Sequence, residues 1–564
     1  MKKLLYIFLL AGVVAVYTSC NKDPETKPLD EFTEDYVFDP NDETGVLAEQ
    51  FLNNIYTHLP SGFNRIGGDV LASATDDAIS SRNINGSIEV LRGKGRLNSS
   101  ASNPDEFWSS GYEGIRKVNI FLSKIDVVPT GAQKKAYWKT DARFLRAMFY
   151  FEMLKRYGGV PIVGDTVFKP TDKINLKRNT FEECVNYIVS ECDAIKDITR
   201  KDPIDNGDWG RISQGIVLTL KAKVLNYAAS PLYNGGNIAI STPSAPYQGY
   251  ASYDVSRWQK AADAAKDVMD LNYYELAPIQ NIFIQRRNTE MIFAYLRPTT
   301  RDLMLDNGLI GFNEANTKGK GLTSPTQNLV DAFPMINGNP ITDPSYNPAK
   351  PYDNRDPRLE RAVFLNGKQW LRRDVQTYEG GLDKPNIAGQ YQTRTGYYSK
   401  KYMNFNFQTS FEYSLQHVNF QIFRYADILL MYAEALNEAN TTPPAAVFNV
   451  LRDIRKRAGL SVSNDFGIPA TMTKEQARDF IQKERRLEFF MEEQRYWDVR
   501  RWKLAETLFN QDLMGMKIIK TGSTLTYERF KADSIAFDSP KMYSYPIPNV
   551  EILRNPNLVQ NEGW

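Results

Sequence analysis

Residues 423–440 read FRYADILLMYAEALNEAN, and their spacing decides the fold class. Apolar side chains recur at Tyr425, Ile428, Leu429, Tyr432 and Leu436, the rhythm of one helix face. Pro443 and Pro444 break the run, because proline lacks the N–H and clashes with the turn before it. A second helix then runs to about Arg457 and stops before Gly459. The aromatic stripe of the first helix reads as helix core.

The pattern repeats upstream and downstream. In TDARFLRAMFYFEMLKRYGGVPIV, residues 140–163, Phe144, Ala147, Phe151 and Leu154 share a face. Leu145, Met148 and Phe149 are apolar as well, so this helix is covered on most sides and lies inside a stack. Gly158 and Gly159 stop it, and Pro161 prevents resumption. Thr180 with Glu183 has capping-box spacing and opens the next helix. Residues 212–229 form another, ended by Pro231. Ser256 with Gln259 opens one that carries Trp258, Ala262, Ala265 and Met269. Thr473 with Gln476 caps a long charged helix, KERRLEFFMEEQRYWDVRRWK, residues 483–503. Its opposite charges alternate at three- and four-residue spacing, which favours internal ion pairs over a nucleic-acid stripe. Helix pairs joined by short turns suggest tetratricopeptide-like stacking, without a strict repeat of about 34 residues. The expected fold is mostly α: an α–α superhelix with an irregular portion of loops and short strands.

That irregular portion spans about 276–420, where Gly, Pro, Asn and Tyr are dense. GLIGFNEANTKGKGL and YNPAKPYDNRDPR read as loops, and MIFAYLR and TGYYSKKYM as short strands. A stretch this long and irregular inside a helical protein points to a functional elaboration.

The chain has 564 residues with a formal charge of +2, and Lys2 and Lys3 account for that surplus. A neutral body argues against nucleic acid, since phosphate binding needs an excess of Lys and Arg. Of three cysteines, Cys184 and Cys192 stand eight apart on a helix. That places them roughly 12 Å apart, too far for a disulfide. Both read as small core residues. The start, MKKLLYIFLLAGVVAVYTSC, has a basic head and an apolar run too short to span a bilayer, the form of an export signal. Thr18, Ser19 and Cys20 resemble a bacterial lipobox, although Tyr17 replaces the usual Leu-like residue. That resemblance implies cleavage after residue 19 and a lipidated Cys20, held firmly by more than one acyl chain.

HExxH, GxSxG and the phosphate-cradling loop GxxxxGK[ST] are absent from the sequence. What remains is aromatic and amide-rich loop. Tyr and Trp offer a flat apolar face and a polar edge, and Asn, Asp and Arg bind hydroxyls directionally. Sugar rings are the complement of both.

Six segments, in order, carry a family resemblance: RFLRAMFYFEMLKRYGGVPIV, SQGIVLTLKAKVLNYAASPLYN, FRYADILLMYAEALNEA, IRKRAGL, ERRLEFFMEEQRYWDVRRW and the closing YPIPNVEILRNPNLVQNEGW. Together they resemble the SusD/RagB family. The resemblance implies four tetratricopeptide-like units and an outer-membrane, surface-facing lipoprotein. It also implies a SusC-like TonB-dependent transporter as partner, over which the protein acts as a hinged lid delivering captured glycan. A peptide ligand, as in the RagB-like branch, is the alternative, and a glycoside hydrolase the more distant one. No enzyme activity, no nucleic acid and no cofactor beyond the lipid are expected, with structural calcium left open.

The expected divisions are a signal peptide at 1–19, a lipidated N-terminus and tether at 20–45, and a helical-repeat portion with early ligand loops at 46–275. The irregular ligand-binding portion at 276–420 and, at 421–564, a C-terminal helical portion with a family-type C-terminal tail follow. No family motif carries ligand contacts, so the candidates rest on side-chain chemistry. They are Asp76, Asp77, Arg82 and Asn83 in ATDDAISSRNING, Trp108 in EFWSSGYEGI, and Tyr295, Asp306, Phe312 and Asn313 in the irregular portion.

Overall fold

The computed structural model describes residues 34–564 except 83–85, 95–102, 170, 237, 240–241, 313–318, 387–390, 410–411, 413–415 and 417. Cys20, Asn83 and Asn313 lie outside the described residues. The helices that build the body are α1 Val46–Tyr56, α2 Trp108–Lys124, α3 Ala132–Tyr157, α4 Phe181–Ile195 and α5 Gln214–Ala229. They continue with α6 Ser256–Met269, α7 Tyr425–Ala439, α8 Ala445–Ala458, α9 Lys474–Glu488 and α10 Gln494–Arg501. Each packs on the next as far as α8, and α9 returns onto α7. The result is a tetratricopeptide-like α–α superhelix. Helices α6 and α7 pack directly although residues 270–424 intervene, so the irregular portion is an excursion between two neighbouring repeat helices.

Local chemistry sets the boundaries. Helix α3 is buried on nearly every side from Trp138 to Tyr157. Gly158 ends it at φ 75°, where a Cβ would stand 2.0 Å from the Tyr247 carbonyl oxygen. Both predicted capping boxes form. Thr180 accepts from the Glu183 N–H at 3.1 Å and donates its own N–H to Glu183 at 2.7 Å. Thr473 and Gln476 repeat the exchange at 3.2 and 2.9 Å. Helix α6 differs from expectation. Ser256 is its first residue rather than its cap, and the Asp254 carboxylate takes the Ser256 N–H at 2.8 Å instead.

Three further expectations change. Residues 34–45 are not an extended tether: Glu34–Val37 is helical and Phe38 is buried, its ring 5.4 Å from Phe51 and 6.0 Å from Phe121. One aromatic anchor outweighs the polar composition around it. The charged helix at 483–503 is two helices, broken where Met491 and Glu493 take φ of 66° and 62°. Arg65 clamps Glu493 there with two hydrogen bonds of 2.8 Å. The C-terminal portion also holds a hairpin.

The strands longer than two residues are β1 Ala78–Ser80, β2 Met291–Tyr295, β3 Thr323–Pro325, β4 Phe420–Arg424, β5 Asp512–Thr521 and β6 Thr524–Ser534. They pair antiparallel as β1–β3, β2–β4 and β5–β6. MIFAYLR supplies β2 as read, whereas TGYYSKKYM yields only the two-residue strand Tyr398–Ser399. Cys184 and Cys192 are buried free thiols. Among the described residues no helix is long and apolar enough to cross a membrane.

Candidate functional site

Backbone pairing draws the early loop and the irregular portion together. Strands β1 and β3 match Ile79 to Ser324. Beyond them the Ser81 N–H donates to the Leu322 carbonyl at 2.9 Å, and the Leu322 N–H to the Asp306 carbonyl at 2.7 Å. Arg82 and Asp306, distant in sequence, thereby sit in one neighbourhood. Arg82 donates to the Gly67 carbonyl at 3.1 Å. Gly68, at φ 95°, leaves the space its guanidinium crosses, since a Cβ there would come within 2.5 Å of it.

Asp306 accepts from Asn64 at 2.5 Å and from Lys320 at 2.8 Å. Behind it, buried Asp69 accepts from Ser80 at 2.7 Å. Burial pushes the Asp69 carboxyl up to about 6, against the pull of the Ser80 hydrogen bond and Arg82.

A cleft of about 350 Å³ opens beside Asp306, lined by residues 61–65, Arg297, Thr300, Asp302, Leu303 and Val418. Phe63 backs the cleft and is itself core, 5% exposed. Its ring meets Tyr402 and Phe420 edge-to-face at 5.0 and 5.4 Å, and the Arg297 guanidinium stands 5.4 Å over it. Amide, hydroxyl and both charge signs line the cleft, and such groups bind sugar hydroxyls.

Phe312 lies on the neighbouring loop with the Arg373 guanidinium 3.8 Å from its ring centre. Asp383 fixes that arginine through bonds of 2.7 and 2.9 Å and accepts the Gly311 N–H at 3.1 Å. Tyr391, half exposed at φ 60°, donates its N–H to the Ser81 carbonyl at 3.3 Å.

The structure therefore sets Asp306 in the cleft with Asn64 and Arg297, brings Arg82 near it through the β1–β3 pairing, leaves Phe312 on the adjoining loop against Arg373, and reassigns other candidates. Asp76 and Asp77 are buried in ion pairs rather than offered to a ligand. Arg495 binds Asp76 through two contacts of 3.0 and 2.8 Å, and Arg486 reaches Asp77 at 2.7 Å. Burial raises the Asp76 carboxyl, but Arg486 and Arg495 outweigh it and hold Asp76 below the usual carboxylate range. Adjacent acids look like a solvated loop in sequence, and only their partners 400 residues away reveal otherwise.

Trp108 is helix core: it begins α2, is 5% exposed, and packs on Tyr112 and Tyr157 at 5.1 and 5.4 Å. Its remaining edge lines a separate cavity of about 960 Å³ between α2, residues 161–176 and the C-terminal tail. Tyr295 pairs with Phe420 in the β2–β4 ladder and packs half-buried on the core. Asn64, Arg297 and Tyr391 were missed. The loop SGFNRIGG shares the Gly, aromatic and amide mix that marked the irregular portion, and that signal was available for Asn64.

A helical-repeat body that presents a polar cleft on an inserted loop face defines a ligand-handling scaffold rather than a helical linker. Two family models fit this chain: the SusD family over residues 285–564, and a model described as starch-binding associating with outer membrane over residues 34–201. The chain belongs to the SusD/RagB family. A SusD-like protein of Formosa agariphila is 25% identical over 413 residues, 71% of this chain and 72% of that protein. The crystal structure of a SusD-like protein from Bacteroides fragilis superposes with a TM-score of 0.77 at 26% identity, covering 95% of this chain and 100% of the other. A second B. fragilis structure, of a SusD-like carbohydrate binding protein, gives 0.72 at 23% identity, covering 92% and 99%.

Proposed function

We propose that this protein binds oligosaccharides at the cell surface and passes them to a SusC-like TonB-dependent transporter in the outer membrane. The observation that carries the reading is the convergence of Asn64, Arg297 and Asp306 on one cleft of a SusD-family fold. The descriptions of one matching family model as starch-binding and of one solved neighbour as carbohydrate binding supply the ligand class.

A pyranose stacks its C–H face on an aromatic ring, while amide, carboxylate and guanidinium groups take its hydroxyls. Each hydroxyl exchanges water for protein, so affinity per site is modest and release to a transporter is easy. The protein acts by capture and handover, without a catalytic step. The lipid on Cys20 holds it at the membrane, and residues 21–33 link that anchor to the folded body.

The test is a glycan array followed by titration calorimetry, with a peptide pool in parallel. Saturable glycan binding that Asn64→Ala weakens is the expected result. Binding to peptides alone overturns the ligand class. Mass spectrometry of the mature N-terminus tests the anchor, and co-purification from outer membranes tests the transporter.

A further inference from the structure

The tyrosine stripe of α7 closes only partly into core: Ile428 and Leu429 are buried, whereas the two tyrosines pack on the core with one side open. Tyr425 and Tyr432 stay half-buried and line an open groove of about 750 Å³ between α6, α7 and α8. We propose that this groove is a second oligosaccharide site, on the helical body and apart from the cleft at Asp306. The ligand class rests on the glycan-binding reading above, and the location does not.

Groove chemistry carries the proposal. Leu429 and Val450 are buried and give an apolar floor. Tyr274 and Tyr425 stand nearly parallel, with ring centres 6.4 Å apart and planes inclined by 30°. Tyr432 follows Tyr425 by seven residues on the same helix face. The rim is polar and exposed: Glu275, Asn449, Asp453 and Lys456.

Among the described residues, no hydrogen bond or ion pair engages the side chains of Glu275, Asp453 and Lys456 or the hydroxyls of Tyr425 and Tyr432. An acyl chain or an apolar peptide side chain would cover those five groups without pairing them, at a cost in desolvation. A pyranose offers each of them a hydroxyl while its C–H face covers the tyrosine rings. The volume falls within the range of about 300–1,000 Å³ typical of small-ligand sites.

The experiment starts from full-length protein with the cleft disabled by Asn64→Ala and Arg297→Ala. Calorimetry against maltoheptaose, laminarihexaose, mannohexaose and xylohexaose is expected to retain binding of at least one. Adding Asn449→Ala and Asp453→Asn, both at exposed positions, should then weaken that binding about tenfold with an unchanged melting temperature. Tyr432→Ala should also weaken that binding, with some loss of melting temperature because the ring packs half-buried on the core, and provides a second route to the groove. If wild-type protein binds a probe and the cleft-disabled protein binds none, the second site is refuted while the proposed function stands. A wild-type protein that binds none of the four removes the ligand class from both sites. Retained binding that the groove changes leave untouched, or a groove that responds only to a lysine-rich peptide, also overturns the proposal.

Discussion

The ion-paired wall of helices α7, α9 and α10 and the inserted loop face use the same residue types in opposite ways. In the wall, charges are buried and paired with one another. Arg424 holds Glu290, Glu488 and Glu492 at 2.6, 2.9 and 2.6 Å. Arg485 bridges Asp427 and Asp498 at 2.9 Å each, and Arg501 grips Glu434 at 2.6 Å. On the face, Asp306 does pair, but with half-exposed Lys320 at 2.8 Å, and no carboxylate among the described residues comes within ion-pair distance of Arg82 or Arg297, which contact a backbone carbonyl and an aromatic ring. A charge already matched inside the protein has little left for a ligand, whereas one held by weaker contacts remains available. Position within the fold, not residue type, separates structural charge from functional charge.

Breaking the wall should produce the largest effect. Arg424→Ala leaves three buried carboxylates without their shared partner. Removing one member of such a cluster costs about 3–5 kcal/mol, because the remaining charges stay desolvated. Denaturant unfolding should show that loss. A cost below about 1 kcal/mol would mean that the wall relaxes or admits water, and the contrast with the face would weaken.

Asp69 sharpens the comparison through pH. The wall's Glu488 is desolvated too, but Arg457 and Arg424 hold it well below the usual range. Asp69 has no such clamp and is raised from 3.8 to about 6. Its folded state therefore holds a proton that the unfolded chain has already lost between those values. Stability contributed by that proton is present below about pH 4 and falls as pH rises through 6, by on the order of 2–3 kcal/mol. Asp69→Asn removes the titration. The variant should gain on wild type as pH rises from 4 to 6.5 and hold a constant lead above that. Equal differences in unfolding free energy at pH 4.5 and 7.5 would show that Asp69 is already ionised at the lower pH.

The contrast also explains what the sequence revealed. Helix faces were legible because apolar periodicity and caps such as Thr180–Glu183 are local signals. The ion pairs were half legible: alternating sign on 483–503 announced pairing, but the partners of Arg485, Arg486 and Arg501 include Asp427, Asp77 and Glu434 on other elements. The stripe of α7 is core at Ile428 and Leu429 and half-buried on the core at Tyr425 and Tyr432, since periodicity identifies a face without saying how far the neighbouring helix closes over it. Asp306 and Phe312 stood out by composition. Asn64 carried the same compositional signal in SGFNRIGG, but its pairing with Arg297 comes from a Phe63 corner and a β2–β4 ladder that no short-range pattern encodes.

The finest test separates two aromatic residues that composition placed together. Both pack half-buried on the core, but Tyr295 belongs to a ladder strand whereas Phe312 lies on a loop with Arg373 over its ring. Tyr295→Ala should lower stability by about 1–3 kcal/mol, with ligand affinity changing only as far as the ladder distorts. Phe312→Ala should cost about 1 kcal/mol in stability, at the low end of the Tyr295→Ala range, yet weaken glycan binding about tenfold, near 1.4 kcal/mol, by removing a stacking surface. Calorimetry and thermal melts on both variants give a crossed pattern if the division between body and face is sound. Should Phe312→Ala melt early while binding stays intact, its ring is packing for Arg373 and the ligand face begins closer to Asp306. In that case Asp383→Asn, which loosens the Arg373 clamp, should reproduce the melting loss, tying it to the salt bridge rather than to the ring.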